Sequence, residues 1–516
     1  MNVFEIVLVM LAMAVLLLGI ARRLKLPYPV LLAIAGAAVA IAPINPGLHL
    51  EPDLALALFV APVLLDAAYD TSLRDLKRYW APIASLVLIA VGLTTVAVAW
   101  VVHALVPTIP WAAAIAVGAI VAPPDAVAAT TVLRDVKLPH RVSVILEGEA
   151  LLNDASALLI YRLAVTAVLA GGSVGAEAIA PAFLLSLFGS LIAGVGFAWV
   201  TGHVTRRIED APSSIILQFV STYGVWLLAE WAGLSPILTM VVYAMTLARS
   251  SPAYLPARLR IPSYAVWETA VLVLNVLAFL VIGLELGPAI AAARPGELER
   301  WVLVGGAVLA TVIGVRLFWT LAAALWSQWR IRRAGAAPPP DGPLPSWRTG
   351  LMIGWAGTRG LVTVATALAL PQNFPERGML LFAAFTVTLG TLLIQGLTLR
   401  TLVLALGVRD DAMVDREVRE ARVTTAEVAL AALADEKGQE ADVLREELEA
   451  ERRIASAATH GEGRPVLPAK ALRARILVAR RNRLIAMRKD GVIGDEAFHR
   501  LEEELDFSEL AVATRT

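Results

Sequence analysis

The sequence predicts an all-α polytopic membrane protein with a helical cytoplasmic tail. Three observations predict it. Of 516 residues, 58% are hydrophobic and 17% charged, against about a quarter charged in soluble domains, and mean hydropathy is +0.71. Apolar stretches recur along residues 1–406, each near the ~20 residues a helix needs to cross a bilayer. Basic residues gather in alternate connections between those stretches. Residues 407–516 form a second, densely charged region, although the whole chain balances at 44 basic and 44 acidic residues.

Taken in order, the apolar runs give thirteen spans, near 3–21, 28–43, 53–70, 80–105, 110–134, 139–169, 178–205, 212–232, 234–249, 264–286, 301–329, 347–370 and 377–406. In the first, Arg22, Arg23 and Lys25 follow the apolar run instead of preceding it, so it reads as a retained helix and not a cleaved signal. The odd-numbered connections carry sets such as Arg22/Arg23/Lys25, Arg74/Lys77/Arg78, Arg206/Arg207 and Arg330/Arg332/Arg333. The even-numbered ones are nearly free of Lys and Arg, apart from Arg294, Arg300 and Arg377 beside glutamates. That alternation places the N-terminus outside and the tail inside. Tryptophans at span starts, Trp80, Trp111 and Trp301, suit the water–lipid boundary. Glycines close the turn near 170–175, and a proline-rich linker covers 331–345.

Three spans hold polar groups where lipid would be. Pro123-Pro124-Asp125 falls mid-way through the fifth; each proline removes a backbone donor and clashes with the preceding turn, so the helix should break there. Broken backbone at that depth must be buried or line a wet cavity. The sixth carries Glu147, Glu149, Asn153 and Asp154, and a carboxylate there costs ~2.5–3.5 kcal/mol on insertion scales, which marks a functional site. Glu147 and Asp154 share one face roughly 10 Å apart, with Glu149 and Asn153 on a neighbouring stripe. The twelfth holds Gly357-Thr358-Arg359-Gly360. Its arginine stays charged and needs an anion or a water path. The helix of span six can thus offer one carboxylate to a permeating ion and another to Arg359.

Such a site binds either a proton or a small hard cation. Burial raises a carboxylate's pKa toward neutrality, and backbone carbonyls at a break can join it as oxygen ligands. Mutually exclusive binding at one alternating-access site amounts to exchange. The chain has no cysteine, and its six histidines form no close pair and no HExxH. Hence no thiolate chemistry, resident metal or cofactor is expected, nor an enzyme's catalytic set or a nucleic-acid partner. A cation channel is the reading from another class, disfavoured because a filter normally comes from a ring of subunits.

The motif EGEALLNDASALLIYRL resembles the Asn-Asp signature of the monovalent cation:proton antiporter-1 family, the sodium/proton exchangers. The segments PPDAV, GWAGTRGLVTVATALALP and IQGLTLRTLV are similar to that family's broken-helix, arginine-bearing and last-helix segments, and the likeness covers roughly 3–406. The resemblance implies two inverted six-helix repeats with broken crossing helices, a dimerisation part and a mobile core, in a homodimer of the bacterial inner membrane. It implies exchange of Na+, K+ or Li+ for H+, with Asp154 the binding carboxylate, Asn153 beside it and Asp125 facing it. It also implies a Glu149–Arg359 ion pair, and one cation per proton because Asn153 precedes Asp154. Glu147, Asp66 and Thr358 are accessory candidates. Ala150 and Pro124 stand where many relatives carry hydroxyl residues, which loosens any choice between Na+ and K+; a K+-selective exchanger regulated by the tail is the alternative. Glu268 and Arg316 read as a structural salt bridge, and Asp66 with Asp70 either as a funnel for cations or as interfacial residues near Arg74.

In the tail, helical apolar spacing covers Glu417–Asp435, Glu440–Ala458 and a basic Ala469–Asp490. Asp495 reads as the N-cap of a last acidic helix through Leu505. Regulation or support of dimerisation is the expected role. The basic helix could pair with the acidic one or lie on anionic lipid.

Overall fold

Proline and apolar runs set the helix starts. The computed structural model describes residues 3–24, 26–41, 52–125, 138–170, 176–251, 254–285, 296–333, 346–408, 412–457 and 468–490, with isolated positions beyond them, and among these there is no strand. Helices α1 (Val3–Leu24) and α2 (Tyr28–Ile41) come first. Next come α3 (Pro52–Ala55) and α4 (Ala61–Asp70), joined by a wider π turn at Leu56–Val60. A short α5 (Leu73–Arg78) precedes α6 (Trp80–Ala84), which runs through a second π turn, Ser85–Ala90, into α7 (Val91–Leu105). Then follow α8 (Trp111–Val121), α9 (His140–Leu169), α10 (Ala176–Thr205), α11 (Ala211–Trp231) and α12 (Pro236–Ser250). Long helices α13 (Ala257–Leu284) and α14 (Glu297–Arg333) lead to two half-helices, α15 (Trp347–Trp355) and α16 (Leu361–Leu368). The last apolar helix is α17 (Arg377–Thr391), a π turn at Leu392–Gly396, and α18 (Leu397–Leu406).

Eight described helices are long and apolar enough to cross a membrane by length and composition. Local chemistry explains the ends. Ser72, Asp210, Ser235 and Ser346 cap α5, α11, α12 and α15 by accepting a backbone N–H three residues on. Pro139 and Pro256 stand just before α9 and α13. Helix α13 starts seven residues ahead of the expected span near 264, because Pro262 sits in its second turn and does not end it.

The apolar helices pack as two groups. The α6–α7 helix, α8, α9, α14, the α15/α16 pair and α17–α18 pack chiefly on one another, while α1–α4 and α10–α13 form the other set. Within the second set α2 and α13 cross closely enough that a Cβ on Gly36 would strike the Leu280 carbonyl, and one on Gly283 the Ala33 carbonyl. In the first set Gly118 lies against the Thr95 backbone. The two sets meet along a shared apolar core, in which Met10, Leu32 and Phe279 are buried with Val98, Val117 and Phe385, and Val30 of α2 lies against Gly396. A cavity of about 1030 Å³ is lined mainly by the second set, with Gly396, Leu397 and Arg400 adding a wall from the first.

Residues Ala412–Thr516 form a separate compact unit. Helices α19 (Met413–Ala432) and α20 (Gln439–Ala457) pack as a pair, and α21 (Pro468–Lys489) packs Leu477 and Leu484 with Leu505. Asp495, expected as an N-cap, lies outside the described residues.

Candidate functional site

Both short helices of the first set stop in mid-bundle, and their ends meet. Helix α8 stops at Val121, directly before buried Pro123 and Pro124. The twelfth span, expected as one helix, divides at Ala356–Gly360 into α15 and α16. The Asp125 N–H donates to the Thr358 carbonyl at 2.6 Å, and Thr358 Oγ1 donates to the Asp125 carbonyl at 3.2 Å. Two backbone groups that neither helix can use are satisfied by each other.

Each break exposes one end of a helix dipole, negative at a C-terminus and positive at an N-terminus. Arg359, with no exposed surface, answers the first. Its Nε donates to the Val121 carbonyl and an Nη to that of Ala122, both at 3.0 Å, and it also donates to the Gly357 carbonyl. Its own N–H donates to Thr391 Oγ1 at 2.9 Å. Asp125 answers the second: its carboxylate lies against Gly360, the N-cap of α16, in the space a Cβ would take. A carboxylate is favoured at a helix N-terminus.

The expected Glu149–Arg359 pair is not what the structure forms. Glu149 is held in a bidentate pair by Arg316 of α14, at 2.5 and 2.9 Å, and Arg316 also donates to the Ile353 carbonyl at 3.1 Å. Both residues are buried. The expected Glu268–Arg316 bridge is therefore corrected too: Glu268 lines the cavity instead. Gly357 separates the two arginines, since a Cβ there would strike Arg316 on one side and approach Arg359 on the other. Arg359 is thus satisfied by carbonyl dipoles, which a sequence cannot display as partners.

With Glu149 engaged, Asp154 stands apart. Among the described residues no ion pair or side-chain hydrogen bond reaches it, and Asp125 lies within electrostatic range. Beside it Asn153, fully buried, donates from Nδ2 to the Pro124 carbonyl at 3.0 Å, and its Oδ1 has no partner among the described residues. Ser156 donates to the carbonyls of Asn153 and Val87, at 2.8 and 2.9 Å, so the π turn of α6–α7 touches this stretch of α9. Asp125, Asn153, Asp154, Thr358, Pro123 and Pro124 therefore gather at one crossing. Glu147 lies elsewhere, two turns from His140 and within electrostatic range of Asp70 and Asp75. Asp66 and Asp70 line the cavity with Tyr69, whose hydroxyl bonds Ser251 at 2.7 Å.

Residues 9–405 match the model of the sodium/hydrogen exchanger transmembrane family. The chain belongs to that family. The chain is 31% identical to the uncharacterized Na+/H+ exchanger YjcE of Escherichia coli, over 84% of this chain and 82% of that one. It is 28% identical to an uncharacterized Na+/H+ exchanger of Mycobacterium tuberculosis, over 98% and 96%. It is 30% identical to a sodium, potassium, lithium and rubidium/H+ antiporter of Bacillus subtilis, over 77% and 61%. Its fold resembles that of the sodium proton antiporter MjNhaP1 of Methanocaldococcus jannaschii, with a TM-score of 0.59 at 17% identity, over 78% of this chain and 98% of that one. The chain is accordingly a multi-pass membrane protein of a cation/proton antiporter family, a family of secondary transporters.

Proposed function

We propose that the chain exchanges Na+, K+ or Li+ for H+ across the bacterial inner membrane at the single carboxylate of Asp154, one cation per proton, in pH and cation homeostasis. One observation supports the reading: at the crossing, Arg316 occupies Glu149 and backbone carbonyls occupy Arg359, so among the described residues Asp154 is left without an ion-pair or hydrogen-bond partner. A carboxylate so placed accepts a proton or a cation and never both, which couples the two fluxes. Asn153 Oδ1, aimed nowhere else, and the carbonyls at Pro124–Asp125 are the further oxygen ligands a hard cation requires, with Asp125 and Thr358 holding the break in register. Ala150 adds no hydroxyl, so the site discriminates weakly among monovalent ions. Relatives whose names span Na+, K+, Li+ and Rb+ support that breadth.

Thirteen crossings, with the N-terminus outside and the tail inside, follow from the alternation of basic loops. The paired breaks support two inverted repeats, and the two packing groups support a core that moves against a scaffold in a homodimer. Asp66 and Asp70 draw cations into the cavity, and Glu147 serves the same approach. The tail from residue 407 regulates exchange.

In proteoliposomes with an imposed pH gradient, Asp154→Asn should abolish dissipation by sodium, potassium and lithium while leaving the melting temperature in detergent unchanged. Cation-driven proton movement that survives the substitution refutes the assignment. Clamping the potential should leave wild-type exchange unchanged if one cation replaces one proton.

A further inference from the structure

The charge in the tail is unevenly placed. Helix α21 carries eight Lys or Arg and no Asp or Glu over its 22 residues, whereas α20 carries six acidic and three basic residues. One side of α21 is occupied: Leu484 is buried with Leu505, and Leu477 packs against them. Another side is open. Ile476, Arg480 and Arg483 recur at i, i+4 and i+7, which places them on one stripe, and all three are exposed. An apolar residue flanked by arginines on one stripe suits a lipid surface, because the aliphatic side chain enters the headgroup region while guanidinium groups reach the phosphates.

We propose that α21 docks on the anionic headgroups of the inner leaflet through Ile476, Arg480 and Arg483. Charge complementarity selects this occupant. A membrane-tethered chain faces that surface at all times, the negative potential there attracts basic segments, and no acidic residue of α21 opposes it. The inference rests on the cytoplasmic placement of the tail proposed above, and exchange measured in the same vesicles is a separate readout.

The chain has no cysteine, so Ile476→Cys carries an environment-sensitive thiol fluorophore at one known place on the full-length protein. Reconstitution in phosphatidylcholine alone is compared with phosphatidylcholine containing phosphatidylglycerol. Docking predicts a blue shift and loss of iodide quenching in the anionic vesicles only. Raising salt from 0.1 to 1 M shortens the screening length from about 10 to about 3 Å and should reverse both signals. Arg480→Gln with Arg483→Gln should remove them while exchange in phosphatidylcholine is retained. Identical emission in the two lipids overturns the proposal. So does a shift that follows protein density rather than anionic lipid, which would seat a second copy on this face.

Discussion

Arg316 and Glu149 meet with both nitrogens on both oxygens in a buried setting, so neither can be removed alone without stranding a charge. Losing either partner should cost about 3–5 kcal/mol. Melting in detergent of Glu149→Gln, Arg316→Gln and the double variant should show the double far less damaged than the sum. The same cycle with Arg359 should be close to additive, and the reverse ranking would restore the pairing the sequence suggested. Outside the membrane, Asp75 gives a pH prediction. Burial alone would raise its carboxyl, but the Ser72 contact and the charges of Arg74 and His140 together hold it below the ordinary value. His140 Nε2 is 3.2 Å from Asp75 Oδ2. A group whose folded pKa is depressed adds stability above its unfolded pKa, about 3.9 for Asp, and loses it as pH falls through the folded value. Wild-type melting should therefore fall more steeply below about pH 4 than that of Asp75→Asn; parallel curves would mean the contact is not made in solution.

The two broken helices depend on each other as elements. Helix α8 offers unused carbonyls to Arg359, which belongs to the other break, and α16 offers its N-terminus to Asp125, which belongs to the first. Each side chain neutralises the opposite element's dipole, so the breaks hold only as a pair. Gly360→Ala puts a Cβ where the Asp125 carboxylate lies and must displace it. Exchange in vesicles should fall at least tenfold, about 1.4 kcal/mol in a barrier. Gly306→Ala, where the new atom meets nothing within 4 Å, should leave exchange unaltered. Equal rates for the two variants would mean the position of Asp125 is unimportant.

At the scale of the whole molecule, the movement proposed for the core requires the two helix sets to slide along the apolar seam they share. Val30 and Gly396 lie at one contact between the sets, with a Cβ on Gly396 falling 3.2 Å from Val30 Cγ2. A cysteine Sγ in place of that γ atom would face the opposing Cβ, which makes the pair a candidate for a disulfide. In this cysteine-free chain, Val30→Cys with Gly396→Cys should exchange when reduced, stop when oxidised and recover with dithiothreitol. Undiminished exchange in the fully cross-linked protein would place the movement elsewhere.

The sequence by itself determined the helical class, because the length and hydropathy of each run leave a bilayer-spanning chain no other way to satisfy its backbone. It also singled out Pro123-Pro124-Asp125, since proline acts within a turn of its own position. Tertiary structure alone decided the partners. The sequence suggested Glu149 with Arg359 and Glu268 with Arg316, and spacing along a chain says nothing about which distant helix lies beside which. Arg359 was satisfied by carbonyls that exist as free acceptors only once α8 has ended. The residues around Gly357–Gly360 do not by themselves mark a break, for a related reason. Two glycines permit a bend without requiring one, and it took the Asp125 carboxylate pressed against Gly360 and the hydrogen bonds with Thr358 to fix it there.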